Sequence, residues 1–245
     1  MPQFAESGPR WRSVTEDKAT PEKLKRDLRQ IADTADSAFA ETHAAREKAL
    51  RLSRDVVRTS ANSLRATHRG EYDQARRLLD TAAGLVAEIE AELTPRSSVY
   101  YAGFVEDAQK EYVEATATLA FTKGTRLPGP DELNVGPAPY LNGLAETVGE
   151  LRRFVLDLLR RDDVSRCEEL LELMDEVYSV LVTMDYPEAV TRGLRRNTDM
   201  ARGVLERTRG DLTVALRQRS LEQRLAAFHE ALGDTSAPAQ GDGGL

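Results

Sequence analysis

Four glutamates, in two pairs, are the residues of this sequence best placed to do chemistry. Glu111 and Glu114 lie in Lys110-Glu-Tyr-Val-Glu-Ala115, and Glu146 and Glu150 lie in Glu146-Thr-Val-Gly-Glu-Leu151. On helices, spacings of three and four residues put both members of a pair on one face. If the two helices face each other, four carboxylates meet at one place. Such a cluster repels itself unless a hard cation or protons neutralise it. With Mg²⁺ that is the chemistry of a phosphodiester-cleaving centre.

The four acids are not equally telling. At about 100° per residue, Glu111 falls in the middle of a stripe made by Phe104, Ala108, Ala115 and Leu119. A carboxylate on an apolar stripe is costly unless paired or metal-bound, and an arginine from another helix would satisfy it as well as a cation would. Glu114 lies at the edge of that face. Glu146 and Glu150 sit opposite the apolar residues Leu144, Val148, Leu151, Val155 and Leu158, where alone they form an ordinary polar face. Gly143 and Gly149 in the same helix each cost about 1 kcal/mol relative to alanine, which points to a close helix approach or a substrate pressed on the backbone.

The elements around these acids read as helices throughout. Thr20 is an expected N-cap, with Pro21 at the first helical position. From there no Gly or Pro interrupts until Gly70. The remaining helices are expected at residues 71–93, 97–122, 140–161, 164–184, 188–219 and 221–232, separated by Pro- and Gly-rich breaks. No strand is predicted. Residues 1–18 and 233–245 lack any period and are expected to be disordered arms around one helical domain at 19–232. The lone Trp11 falls in the first arm.

Composition narrows the function classes. Hydrophobic residues make up 40% and aromatics only 6%, which suits a charge-rich all-α protein better than a β-sandwich. No apolar run is long enough for a membrane span, and no secretory leader is read at the N-terminus, so a cytoplasmic protein is expected. Cys167 is the single cysteine, which excludes an intramolecular disulfide and a cysteine-based zinc site. His43, His68 and His229 have no metal-ligand spacing, and neither a phosphate-binding glycine loop nor a nucleophile motif is present.

The net charge of −7 argues against nucleic acid, but it is segregated. Residues 48–69 carry Lys48, Arg51, Arg54, Arg58, Arg65 and Arg69 against Asp55 alone, while residues 88–114 carry seven acids against two bases. The arginines form a narrow stripe beside the apolar residues Ala49, Leu50, Val56, Val57, Ala61 and Leu64. It reads either as a solvated face or as a phosphate-binding one, since guanidinium forks hold phosphate well. His68, next to Arg69 at the end of the stripe, could contact a phosphate or a base, or serve as a helix-end polar contact.

Several ordered segments resemble the translin superfamily, which includes translin and translin-associated factor X. They are Leu52-Ser-Arg-Asp-Val-Val-Arg58, Arg65-Ala-Thr-His-Arg69, Glu111-Tyr-Val-Glu-Ala115, Pro139-Tyr-Leu-Asn-Gly-Leu-Ala145, Gly149-Glu-Leu151 and Arg195-Arg-Asn-Thr-Asp199. The similarity extends over most of residues 25–225. The resemblance implies an all-α bundle of about seven helices that closes into an oligomeric shell, commonly an octamer. It also implies binding of single-stranded RNA or DNA. The endoribonuclease carboxylates of the catalytic member, translin-associated factor X, fall on Glu111, Glu114, Glu146 and Glu150, which would hold Mg²⁺, or Mn²⁺ in its place. At Glu146 that member has an aspartate, one methylene shorter. Translin itself lacks acids in the first pair, so the resemblance puts this chain on the catalytic side. A histidine-bearing basic segment of translin, near Arg76 here, is unmatched, which shifts the expected RNA contacts to Arg51, Arg54, Arg58, Arg65, His68 and Arg69. The function implied is a Mg²⁺-dependent endoribonuclease acting on single-stranded RNA in a homo-octamer. The alternative is a non-catalytic single-stranded RNA- or DNA-binding protein whose acids are structural.

Overall fold

The computed structural model describes residues 20–93 and 103–234, and every regular element in them is helical. Eight helices follow one another among these residues: α1 Pro21–His68, α2 Tyr72–Leu93, α3 Gly103–Lys123, α4 Pro130–Leu133, α5 Pro137–Leu159, α6 Cys167–Val182, α7 Glu188–Thr191 and α8 Leu194–Asp234. The expected all-α class is what is found. The expected arm at 1–18, with Trp11, the expected helical start at 97–102 and residues 235–245 of the second expected arm lie outside the described residues, while residues 233–234, expected in that arm, belong to α8.

The chain divides between Glu47 and Lys48 into two units. The first holds the start of α1. Thr20 caps it as expected, its hydroxyl accepting from the Lys23 amide at 3.4 Å. Leu24, Leu28 and Ile31 leave 51%, 66% and 64% of their surface exposed.

The second unit holds the core, and α5 is its centre, packed by α3, α6 and α8. Leu144, Val148, Leu151 and Val155 are buried on α5, as the periodicity requires. On α2 the buried residues are Ala75, Leu79, Ala82, Val86, Ile89 and Leu93, and on α6 they are Cys167, Leu170, Met174, Val177 and Leu181. The seam of α1 in this unit differs from its apolar pattern. The buried positions include Ala49, Ser53, Val56, Ser60, Ser63 and Thr67, spaced alternately by four and three, while Leu50, Val57, Ala61 and Leu64 are only partly covered. Small residues let α1 lie close to its neighbour: the Ser63 hydroxyl donates to the Ala75 carbonyl at 3.0 Å, and the Lys48 ammonium reaches Glu88 at 3.2 Å and Glu92 at 2.9 Å.

Several boundaries depart from the sequence expectation. The helix expected at 188–219 is broken after α7, where Arg192 and Gly193 take positive φ, and its longer part runs on through the expected 221–232 helix as α8, because no Gly or Pro lies between Asp211 and Leu232 to end it. The segment between α3 and α5 contains α4, whose Glu132 carboxylate accepts from the Gly129 amide and pairs with Arg126. Helix α5 begins at Pro137, where a proline at the first position costs no hydrogen bond.

The crossing of α3 and α5 is set by Gly143. A Cβ at this position would lie 2.7 Å from both the Lys110 carbonyl oxygen and Val113 Cβ. At Gly149, the other glycine read as a close helix approach or a place for substrate on the backbone, no helix comes close: a Cβ there would face open space. Accordingly, Gly143→Ala should lower stability in urea denaturation by about 1–3 kcal/mol, the range for overpacking. Gly149→Ala should be neutral or stabilising by up to about 1 kcal/mol. Equal effects at the two sites would contradict this packing.

Candidate functional site

Because α3 and α5 touch at Gly143, the faces that carry the two acidic pairs meet. One carboxylate oxygen from each of Glu111, Glu114 and Glu146 lies within 4.8 Å of the other two, and all three residues are half-buried. The predicted fourth member, Glu150, is one turn further along α5. It accepts a hydrogen bond from His68 Nε2 at the end of α1. Arg153 lies 3.9 Å from its carboxylate but is 58% exposed.

The charges are balanced unevenly. Burial, with the negative charges of Glu111, Glu146 and Glu150 added, pushes the Glu114 carboxyl up to about 8. Burial and Glu146 also raise that of Glu111. The hydrogen bond from His68 outweighs burial at Glu150 and holds its carboxyl below the ordinary value. One base enters the cluster: Lys110 Nζ sits 2.8 Å from Glu146 Oε1, with 22% of its side chain exposed. Burial opposes the charge on Lys110, but the bond to Glu146 and the neighbouring carboxylates outweigh it and keep its pKa raised. Sequence reasoning overlooked Lys110 as a site residue; the i,i+4 spacing from Lys110 to Glu114 was the only signal that it belongs to this face.

A buried polar network fixes the start of α5. Asn142 donates to the carbonyls of Ala138 and Thr191, each at 2.9 Å, and its side-chain oxygen accepts from Asn197 at 2.8 Å. The far end of α3 is held by Arg166, whose guanidinium donates to the Phe121 carbonyl at 3.0 Å and to that of Thr122. Both helices that carry acids are thus anchored by groups outside the acidic cluster.

The arginine stripe is where the sequence put it. Arg51, Arg54, Arg58, Arg65 and Arg69 are all exposed. Arg58 pairs with Asp55 at 3.0 Å, Arg69 makes two bonds to Glu71, and Arg65 bonds to Asn62. His68 departs from the stripe. It was expected beside Arg69 as an RNA contact, but its side chain is only 5% exposed and turns inward to Glu150. One residue along a helix is a rotation of about 100°, enough to send neighbouring side chains to opposite environments.

No family model matches the chain. Among curated proteins, the uncharacterized protein MJ0175 of Methanocaldococcus jannaschii is 30% identical over 189 residues, 76% of this chain and 83% of that protein. Among solved structures, AfC3PO in complex with duplex RNA superposes with a TM-score of 0.71 at 33% identity, covering 77% of this chain and 97% of its own. AfC3PO alone matches with the same TM-score at 32% identity, over 77% of this chain and 98% of its own. These are C3PO structures, of the translin and translin-associated factor X type. The chain belongs to the translin superfamily. Apo-NeC3PO, at 18% identity and a TM-score of 0.64 over 81% of this chain and 100% of its own, shows the same translin fold.

In this translin-superfamily chain the acidic cluster leaves a thermodynamic mark. Between the ordinary value of 4.5 and about 8, the folded chain holds a proton on Glu114 that the unfolded chain lacks. The folded state binds more protons there, so stability falls as pH rises through that window. In EDTA, the melting temperature should therefore decline from about pH 5 to about pH 9, and Glu114→Gln should make the decline shallower. An unchanged slope in the variant would place the proton elsewhere.

Proposed function

We propose that this chain is a metal-dependent endoribonuclease that binds and cleaves single-stranded RNA inside a homo-octameric helical shell. The observation that carries the proposal is the convergence of Glu111, Glu114 and Glu146 from two crossing helices to within 4.8 Å. An all-carboxylate, half-buried donor set fits a hard divalent cation, Mg²⁺ or Mn²⁺, and offers nothing to a soft one. Glu111, Glu114 and Glu146 would hold it, with Glu150 at the margin. When bound, the cation supplies charge neutralisation at the scissile phosphate and a more acidic water. The side chain at 146 is one methylene longer than the catalytic pattern, and Lys110 fixes its carboxylate through a 2.8 Å bond.

The exposed guanidinium groups of Arg51, Arg54, Arg58, Arg65 and Arg69 would hold the phosphodiester backbone. That AfC3PO is described with duplex RNA supports RNA as the ligand. Self-association is supported by the apolar stripe of the first unit, Leu24, Leu28 and Ile31, which continues as Ala35 and Ala38 with four-and-three spacing. The ion pair of Lys110 with Glu146 favours a second reading, a non-catalytic binder of single-stranded RNA or DNA in which that pair and a proton on Glu114 satisfy the acids.

One experiment separates the two. Purified protein is incubated with end-labelled single-stranded RNA, duplex RNA and single-stranded DNA, with Mg²⁺, with Mn²⁺ and with EDTA. Cleavage of single-stranded RNA that needs the cation, and falls at least about 100-fold in Glu111→Gln and Glu114→Gln while binding persists, supports the nuclease. Binding without cleavage in the wild type supports the second reading. Arg54→Glu with Arg58→Glu should weaken RNA binding and flatten its dependence on salt by about two counterions' worth; unaltered affinity would remove the stripe from the interface. Light scattering of the same preparation should give the mass of eight chains, and a monomer mass would overturn the shell.

A further inference from the structure

His68 is unusual among the polar residues of the second unit. Its side chain is only 5% exposed. Nε2 bonds to Glu150, while Nδ1 is buried with no hydrogen-bond partner among the described residues. The Phe154 ring, one turn beyond Glu150 on α5, packs against the imidazole with centroids 6.4 Å apart. A buried ring nitrogen without a partner costs about 1–3 kcal/mol, so stability alone does not explain a histidine here. An apolar residue would fill the niche without that cost. What the imidazole provides is one donor, aimed at one carboxylate of the acidic group.

We propose that His68 is a positioning residue that holds the Glu150 carboxylate against the Glu111–Glu114–Glu146 cluster, in readiness for a divalent cation. This rests on the nuclease reading of that cluster. Glu150 has three rotatable side-chain bonds and stands beside the charged carboxylates of Glu111 and Glu146, which would drive it outward to solvent. The Nε2–H bond restrains it. Both the neutral Nε2–H tautomer and the imidazolium can donate this bond, so the role does not depend on the ring's protonation state. Outer hydrogen bonds of this kind orient ligating carboxylates, and their loss typically costs about 10–100-fold in metal affinity or activity. His68 is also the inward neighbour of Arg69, so the end of α1 that presents an arginine to RNA also braces the acids that would cut it.

The test compares wild type, His68→Phe and His68→Gln. The first variant fills the niche without a donor, and the second keeps a side-chain donor. Mg²⁺ affinity is measured by titration calorimetry with MgCl₂, cleavage by labelled single-stranded RNA, and RNA affinity in EDTA. In the Phe variant, Mg²⁺ affinity and kcat should each fall by about 10–100-fold. Its RNA affinity in EDTA and its KM for RNA should stay at the wild-type level, with a melting temperature in EDTA no lower than wild type. The Gln variant should recover part of the loss. A Phe variant with wild-type Mg²⁺ affinity and cleavage overturns the proposal, as does a loss of RNA affinity in EDTA, which would make His68 an RNA contact. If the wild type binds Mg²⁺ but cleaves nothing, the nuclease reading fails, and a weaker Mg²⁺ affinity in the Phe variant still supports the positioning role. If the wild type binds no Mg²⁺, both fall. If the Phe variant does not fold, His68→Asn, too short to reach Glu150, replaces it in every arm.

Discussion

Everything in this molecule that concerns the acids follows from one steric fact: α3 and α5 lie so close at Gly143 that no side chain fits between them. The contact brings the Lys110–Glu114 turn of one helix against the Gly143–Glu150 stretch of the other. Electrostatics opposes that approach, since it gathers carboxylates in a half-buried place. Packing wins because α5 is held from other directions, by its apolar face and by the Asn142–Asn197 pair. The repulsion is not removed but absorbed, by Lys110 at Glu146, by His68 at Glu150, and by a proton at Glu114. Natural proteins keep such local conflicts mainly where they have a use for them.

Helices α1 and α5 divide the labour. Helix α1 shows arginines to solvent on one side and small hydroxyl residues to the core on another, and it ends in a histidine that reaches the acids. Helix α5 shows leucines and valines to the core and acids to α3. The acidic cluster and the arginine stripe are therefore assembled from helix faces rather than loops, which gives them the stiffness of the bundle. The loop between α3 and α5 accepts, at its Pro128 carbonyl, a 2.8 Å bond from the Tyr140 hydroxyl of α5 and contributes none of the four acids.

Much of this was legible in the sequence. Period 3.6 located the main helices, the inward residues of α5 and the exposed arginines, because each depends on local pattern alone. The pairing of Glu111 with Glu114 and of Glu146 with Glu150 was likewise readable from spacing. That the pairs meet was not: it depends on a contact between residues about thirty positions apart, for which Gly143 was an ambiguous sign and Gly149 a misleading one. The buried seam of α1 was misplaced because serine, threonine and alanine carry little hydrophobic signal, even where they pack deepest. The partners of Lys110 and His68 were not legible for a related reason. A charged or polar residue reads as solvent-facing until its partner on another helix is known.

The small-residue seam of α1 has a thermal consequence. Ala49, Ser53, Ser60, Ser63 and Thr67 are buried, yet between them they remove little apolar surface from water. The heat capacity of unfolding scales with apolar area exposed, at about +0.45 cal/K/mol/Å², and polar exposure subtracts from it. Docking of this helix therefore adds backbone packing and hydrogen bonds such as that of Ser63 to Ala75, but little curvature to the dependence of stability on temperature. A bundle closed along such a seam keeps its arginine-bearing helix in place over a wider thermal range than a leucine-rich seam of equal stability would.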